Sequence, residues 1–292
     1  MTAEQPAPHG APGPDHFDST AQLMSRITAQ LSSRLSRVTL RSAPPRPPVL
    51  VAVAHGSRDP EALRTAHALL DRIRDLRPGL PVRLGHIEID EPSLDDALAA
   101  LSGEVVLVPL MLTRGHHVER DVPGALARAP HLRGRVAAPL GPHPLLAEAL
   151  AGRLAEAGWC SGSGQAARRA GVVLAAAGSR NPRSARDTRA TAALLGARLG
   201  GGVPVVPAYA STGPDVATAV RRLAAEGRDR VAVASCFAAP GRFATAMAAA
   251  APWIAAAPLG AHPAMAALVL HRYDRALAGT TGSAAAAQPA TA

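Results

Sequence analysis

The strongest constraint on this chain is that it repeats itself. The run Val49-Leu-Val-Ala-Val-Ala-His55-Gly-Ser-Arg-Asp-Pro60 returns as Gly171-Val-Val-Leu-Ala-Ala-Ala-Gly178-Ser-Arg-Asn-Pro182, with Gly-Ser-Arg-x-Pro in one frame. Pro81-Val-Arg-Leu-Gly-His-Ile-Glu88 is answered by Pro204-Val-Val-Pro-Ala-Tyr-Ala210, and Gly115-His-His117 by Gly241-Arg-Phe243. Pro139-Leu-Gly-Pro-His143-Pro144 is answered by Pro258-Leu-Gly-Ala-His262-Pro263. Matching blocks in one order require two copies of one structural unit, and 292 residues suffice for two cores of ordinary size.

Within the first copy, apolar runs alternate with helical periods. Strands are expected at Val49–Ala54, Val82–Ile89, Val105–Leu110 and Arg135–Ala138, and helices at Pro60–Arg77, Pro92–Leu101, Val118–Arg128 and Pro144–Glu156. The first helix has Leu63, Ala66, Leu69, Leu70, Ile73 and Leu76 along one stripe, with Arg64, Asp71, Arg72 and Asp75 opposite. The fold class is therefore α/β, with two tandem (βα)4 lobes, each a parallel sheet covered on both faces through right-handed crossovers. The expected domains are a first lobe over 49–158, a flexible Gly- and Ser-rich linker over 159–170 and a second lobe over 171–278. Residues 1–48 form a leader and 279–292 a tail. Residues 1–18 and the tail lack periodicity and should be disordered. Between them and the Pro44–Pro48 stretch, Leu23, Ile27, Leu31, Leu35 and Val38 recur at helical spacing among Arg26, Arg34 and Arg37, which predicts an amphipathic helix docking weakly on its own domain rather than on a membrane surface.

Composition narrows the function classes. Aromatic residues make up 2% of the chain, so the cores must be built from Ala, Val and Leu. The formal charge is +9 and every basic residue other than His is Arg. These arginines do not cluster with aromatics, so no nucleic-acid partner is expected, while a basic surface suits a polyanionic small molecule. Cys160 and Cys236 lie far apart and form no C-x-x-C pair, which argues against a zinc ribbon or a disulfide framework. Without a long apolar run or a signal-like start, the expectation is a soluble, cytoplasmic chain with no membrane partner, and two fused lobes point to a monomer.

The repeat also separates scaffold from chemistry. Gly56, Ser57, Arg58 and Pro60 recur, as do His143 and His262, each before a Pro at a helix start; these read as turn and helix initiation. Three ionisable residues do not recur: His55 is answered by Ala177, Glu88 by Ala210 and His117 by Phe243. All three fall at or just after the carboxyl ends of different parallel strands, the edge at which open α/β sheets bind ligands. Two imidazoles and a carboxylate are an ordinary ligand set for a divalent first-row metal. His86, His116 and Asp121 stand close by. His86 shares the strand face of Glu88 by period two, and Asp121 suits the orienting of a ligand ring.

Ala54-His55-Gly-Ser-Arg, then Ile87-Glu88 before Pro92-Ser-Leu, then Gly115-x-His117-Val-x-x-Asp121-Val-Pro123, resembles the sirohydrochlorin chelatase family, the class II chelatases. The resemblance covers most of residues 49–277. It implies a two-lobed fold of the ferrochelatase type and insertion of Fe²⁺ or Co²⁺ into sirohydrochlorin, without ATP or any nucleotide. It also implies that His55, Glu88 and His117 are both metal ligands and catalytic groups, with His55 and His117 taking part in pyrrole deprotonation. Ser57, Arg58, Arg114, His116 and Arg180 are candidates for holding the carboxylate-rich substrate, since guanidinium pairs with carboxylate in a fork. Because Arg58 and Arg180 recur, a structural role stands beside that reading. Two other classes use some of these residues: a carrier that binds metal or tetrapyrrole without turnover, and a phosphate-binding enzyme built on Gly56-Ser57-Arg58 at a helix start. Imidazole and carboxylate accept iron and cobalt alike, so the metal is open.

Overall fold

The computed structural model describes residues 20–39, 46–160, 162, 165–200 and 202–279. The expectations for residues 1–18, for part of the Pro44–Pro48 stretch and for the tail beyond Gly279 lie outside them. The chain divides into two compact units, Met1–Arg46 and Pro47–Ala292. In the first, α1 (Thr20–Thr39) is a single 20-residue helix. No described helix is long and apolar enough to cross a membrane.

The second unit contains two four-stranded parallel sheets. The first is made by β1 (Val49–Ala54), β2 (Val82–His86), β3 (Gly103–Pro109) and β4 (Leu132–Val136) in the order β2-β1-β3-β4. The second repeats it with β5 (Ala170–Ala176), β6 (Val205–Tyr209), β7 (Arg230–Cys236) and β8 (Ile254–Ala255) in the order β6-β5-β7-β8. Each chain path leaves the central strand to one side and returns on the other, which opens a crevice at the carboxyl ends of β1 and β3. The register pairs Ala54 with His86 and Val53 with Pro109, so these strands end at nearly one level.

Helices cover both sheets in five layers. Period-two alternation sends Leu50 and Ala52 of β1 to the inner face and Val51 and Val53 to the outer one. The outer face of the first sheet buries Leu94 and Leu98 of α3 (Leu94–Ala99) and Val122 and Ala125 of α4 (Val122–Ala127). The outer face of the second buries Val216, Ala219 and Leu223 of α8 (Val216–Ala225) and Met247 of α9 (Arg242–Ala249). Between the sheets lie α2 (Pro60–Leu76), α5 (Pro144–Glu156), α7 (Pro182–Arg198) and α10 (Pro263–Ala278), in one continuous core of Leu, Val and Ala.

Two of these inner helices cross over. Although α5 follows the first sheet in sequence, it lies on β7 of the second, and α10 lies on β3 and β4 of the first. The exchange is reciprocal in its hydrogen bonds. Arg153 of α5 donates to the Leu259 carbonyl through Nε at 3.0 Å and Nη2 at 2.8 Å, and its repeat counterpart Arg272 of α10 donates to the Leu140 carbonyl at 3.0 Å. Tyr273 donates to the Pro48 carbonyl at 2.7 Å, tying α10 to the lead-in of β1.

Several boundaries differ from the sequence reading for physical reasons. β2 stops at His86, because its N–H turns to the Pro92 carbonyl and Ile89 takes φ 71, a rare conformation for a β-branched residue. β4 begins earlier than expected; as an edge strand it alternates Arg133, Gly134 and Arg135 and shows no apolar run. The expected helix over Val118–Arg128 is split: His117–Asp121 forms a π-helical turn, with the Val122 N–H reaching back to the His117 carbonyl, and α4 follows. Pro123 has no N–H for the ordinary helical bond at this point. Leu76 is exposed at the end of α2 instead of completing its buried stripe. Within the expected linker, Trp159 is buried and α6 (Gln165–Arg169) leads into β5.

His143 and His262 cap α5 and α10: each ring Nδ1 accepts from the backbone two residues on, Leu145 N–H and Ala264 N–H, both at 3.2 Å. This role needs the neutral ring. Burial, aided by Arg272 beside His143 and by Arg153 beside His262, holds both below the ordinary imidazole value. The unfolded chain therefore binds more protons than the folded one below about pH 6.5, so stability is full above that pH and falls as these rings protonate. The urea midpoint should drop between pH 7.5 and pH 5.5, and the drop should be smaller in His143→Asn/His262→Asn, since Asn caps helices without titrating.

Candidate metal-binding site

His55 follows the last residue of β1, and Gly56 follows it with φ 99. A Cβ built on Gly56 would lie 1.8 Å from the Glu88 carbonyl oxygen, so only glycine admits this approach of the two strand ends. The contact continues as a ladder: Ile87 N–H donates to the Ala54 carbonyl and Glu88 N–H to the His55 carbonyl, both at 3.0 Å. Asp90 closes the turn by accepting from Ser57 N–H at 2.9 Å. Glu88 is thus brought beside His55 although they belong to different strands.

His117 arrives from the third strand, as the first residue of the π-helical turn. That turn places Asp121 four residues on, with its Oδ2 2.7 Å from His117 Nδ1. A carboxylate only accepts, so the neutral ring carries its proton on Nδ1 and presents the Nε2 lone pair. The His55 and His117 rings meet edge to face at 4.6 Å between centroids. Ligand atoms of His55, Glu88 and His117 all lie within 4.8 Å of one another, and His55 and Glu88 are exposed. Among the described residues this is the one such cluster.

His55 and His117 line a cleft of about 980 Å³ whose walls come from both sheets, and Glu88 stands beside them just outside its lining. One wall carries the strand ends just described, together with Ala62, Leu63 and Ala66 of α2; the other carries Phe237 and the β7–α9 loop through Phe243. Such a cavity, largely apolar with a few convergent polar groups, is the usual form of a small-molecule site. Cys236 lines it too, but burial pushes its thiol up to about 12, which keeps it protonated and a poor metal ligand.

The other candidate residues fare differently. Arg58 is exposed on the cleft wall, and His116 is exposed with Nε2 3.6 Å from Asp121 Oδ1. The Ser57 hydroxyl oxygen accepts from Asp59 N–H at 3.1 Å, leaving its proton for a ligand. His86 is buried at the cleft floor with Nδ1 3.2 Å from the Pro92 carbonyl. Arg180 does not line the cleft. Arg114 does, but its guanidinium is held by both oxygens of Asp187, at 3.0 Å from Nε and 2.5 Å from Nη2. Arg242 lines the cleft and stacks over the Phe243 ring at 5.1 Å. It stands where the first half has His116, so a guanidinium there replaces an imidazole.

A family model described as CbiX matches residues 49–157 and again 171–276. The chain belongs to the CbiX family. Both halves match the one family model, in keeping with the repeat. Among curated proteins, the chain is similar to sirohydrochlorin cobaltochelatase of Methanosarcina acetivorans, 32% identical over 82 residues that make up 27% of this chain and 63% of that protein. The chain therefore spans less than two thirds of that relative's length. Sirohydrochlorin cobaltochelatase of Sulfurisphaera tokodaii is 31% identical over 115 residues, 37% of this chain and 91% of that protein. Sirohydrochlorin ferrochelatase, chloroplastic, of Arabidopsis thaliana is 31% identical over 114 residues, 36% of this chain and 50% of that protein. The fold of this CbiX-family chain is also that of SirB from Bacillus subtilis with Fe³⁺, at TM-score 0.65 and 22% identity over 80% of this chain and 97% of the other.

Proposed function

We propose that this CbiX-family protein is a metal chelatase of the lyase class that inserts Co²⁺ or Fe²⁺ into sirohydrochlorin at the His55, Glu88 and His117 cluster. The observation that carries the reading is a cluster of three metal-ligating groups, two of which, His55 and His117, line a cleft of about 980 Å³, large enough for a macrocycle. Its relatives in the curated set carry the names of both metal activities.

Insertion replaces two pyrrole N–H protons by one divalent ion. The groups that present the metal must therefore release it and also accept protons, and neutral imidazole does both near working pH. In this reading His117 offers Nε2 while Asp121 holds its tautomer, Glu88 completes the ligand set, and His55 and His117 take up the two pyrrole protons as the metal leaves them. The metal is displaced from protein to ring nitrogens without ATP or another energy source. The apolar wall of Phe237, Phe243 and α2 would take a face of the macrocycle, with Arg58 and Arg242 pairing its carboxylates. One chain supplies both walls, which favours a monomeric enzyme.

The enzyme and carrier readings differ in stoichiometry. With sirohydrochlorin in tenfold excess over protein, and Co²⁺ or Fe²⁺ added anaerobically, the visible spectrum of the ring should convert fully. Conversion that stops at one equivalent would assign a carrier, and the ratio of the two initial rates ranks the metals.

A further inference from the structure

We propose that the start of α7, in the second lobe, is a brace that sets the position of the metal-binding loop of the first, with Asp187 as its central positioning residue. This rests on the metal-site reading above. The loop from Leu110 to His117 is held from across the cleft. Thr113 Oγ1 meets Ser184 Oγ at 3.0 Å. Asp187 Oδ2 accepts from both the Arg114 backbone N–H, at 2.9 Å, and Arg114 Nε, at 3.0 Å, while its Oδ1 accepts from Nη2. Beyond His117, Glu119 accepts from Asn181 Nδ2 at 3.0 Å and Arg183 Nη1 at 3.2 Å. His117 is thus bracketed on both sides by anchors from one helix start.

These are committed contacts. Asp187 is 2% exposed and Ser184 3%, and a buried carboxylate is tolerated only with such partners. Burial alone would raise the Asp187 carboxyl; the Arg114 guanidinium and N–H outweigh it and hold it below the ordinary value. A fork that grips side chain and backbone together fixes the loop in position and in rotation.

The internal repeat shows what the brace is for. In the first lobe, the counterparts of Ser184 and Asp187 on α2 are Ala62 and Thr65, and in the second lobe the counterparts of Thr113 and Arg114 are Ala239 and Pro240. Both members of each cross-lobe pair are thus replaced together, on the side where the loop carries Phe243 instead of His117. The lobe without ligands retains a role: it presents His117 to His55 and Glu88.

The test uses the full-length, metal-free protein with Co²⁺ alone as probe. In Asp187→Asn, amide hydrogen exchange should quicken within residues 113–121, and the Co²⁺ Kd should rise about tenfold or more, the usual effect of losing a partner that orients a metal ligand. Arg114→Ala removes the same fork from its exposed end and should reproduce both changes, and the double variant should bind no more weakly than either single one. Faster exchange spread along all of α7, or an unchanged Kd in both single variants, would overturn the brace. His55→Ala tests the underlying reading separately. Lost Co²⁺ binding there, with unchanged binding in Asp187→Asn and Arg114→Ala, overturns the brace alone, whereas Co²⁺ binding retained in His55→Ala overturns the metal reading and the brace's purpose with it.

Discussion

His55→Ala and His117→Ala are each expected to lower the rate of metal insertion into sirohydrochlorin by at least about 100-fold, followed by the visible spectrum of the ring. Each removes one of three groups whose ligand atoms lie within 4.8 Å of one another. Even the loss of a partner that merely orients a ligand costs about 10–100-fold, and Asp121→Asn, which keeps His117 but weakens the acceptor of its Nδ1 proton, should fall in that range. The chain should fold normally in the His55 variant, because that ring is exposed and touches only the neighbouring Gly56 carbonyl, at 3.3 Å, and the edge of the His117 ring within the cluster itself. Insertion at near the unsubstituted rate in either Ala variant would remove the cluster from the mechanism.

The second large effect is expected at Gly56→Ala. With φ 99 the added methyl sits in a conformation that costs a non-glycine residue about 1–2 kcal/mol. It also lies 1.8 Å from the Glu88 carbonyl oxygen, a backbone atom that can retreat only by moving the β2 end away from His55. The sum should be roughly 3–5 kcal/mol in urea unfolding, at the upper end for one substitution, and Co²⁺ affinity should fall with it. Gly79→Ala is the control: its φ is also positive, at 85, but nothing lies within 4 Å of the new methyl. It should cost only the backbone term, about 1–2 kcal/mol, and leave metal affinity alone. Equal losses in the two variants would mean that strand approach at Gly56 is unimportant.

What was legible in the sequence follows from how local the governing physics is. β1 and β5 are buried on both faces and therefore read as apolar runs, and α2 and α7 announce themselves through Pro60 and Pro182 after capping Asp59 and Asn181. The three ligands were legible because the second half lacks them. The edge strand β4 was blurred by its arginines, and the π-helical turn depends on a single missing N–H at Pro123. The exchange of α5 and α10 has no local signature, since their apolar stripes do not say which sheet they cover. Asp187 did leave a trace: Ser184, Asp187, Thr188 and Thr191 recur at helical spacing on the buried stripe of α7, where Ala62, Thr65, Ala66 and Leu69 stand in α2. Polar residues at core positions require partners, and the partner loop was across the chain.

The crossed helices have a mechanical consequence. Each sheet is roofed by a helix whose own strands belong to the other, and Arg153 and Arg272 rivet the two crossings at Leu259 and Leu140. Pulling the cleft walls apart would strip apolar cover from both sheets at once, so the halves cannot swing as jaws about the 159–170 connection. The same interlock means that cutting the chain near Cys160 should leave two fragments that stay together, whereas either fragment made alone would lack a roof.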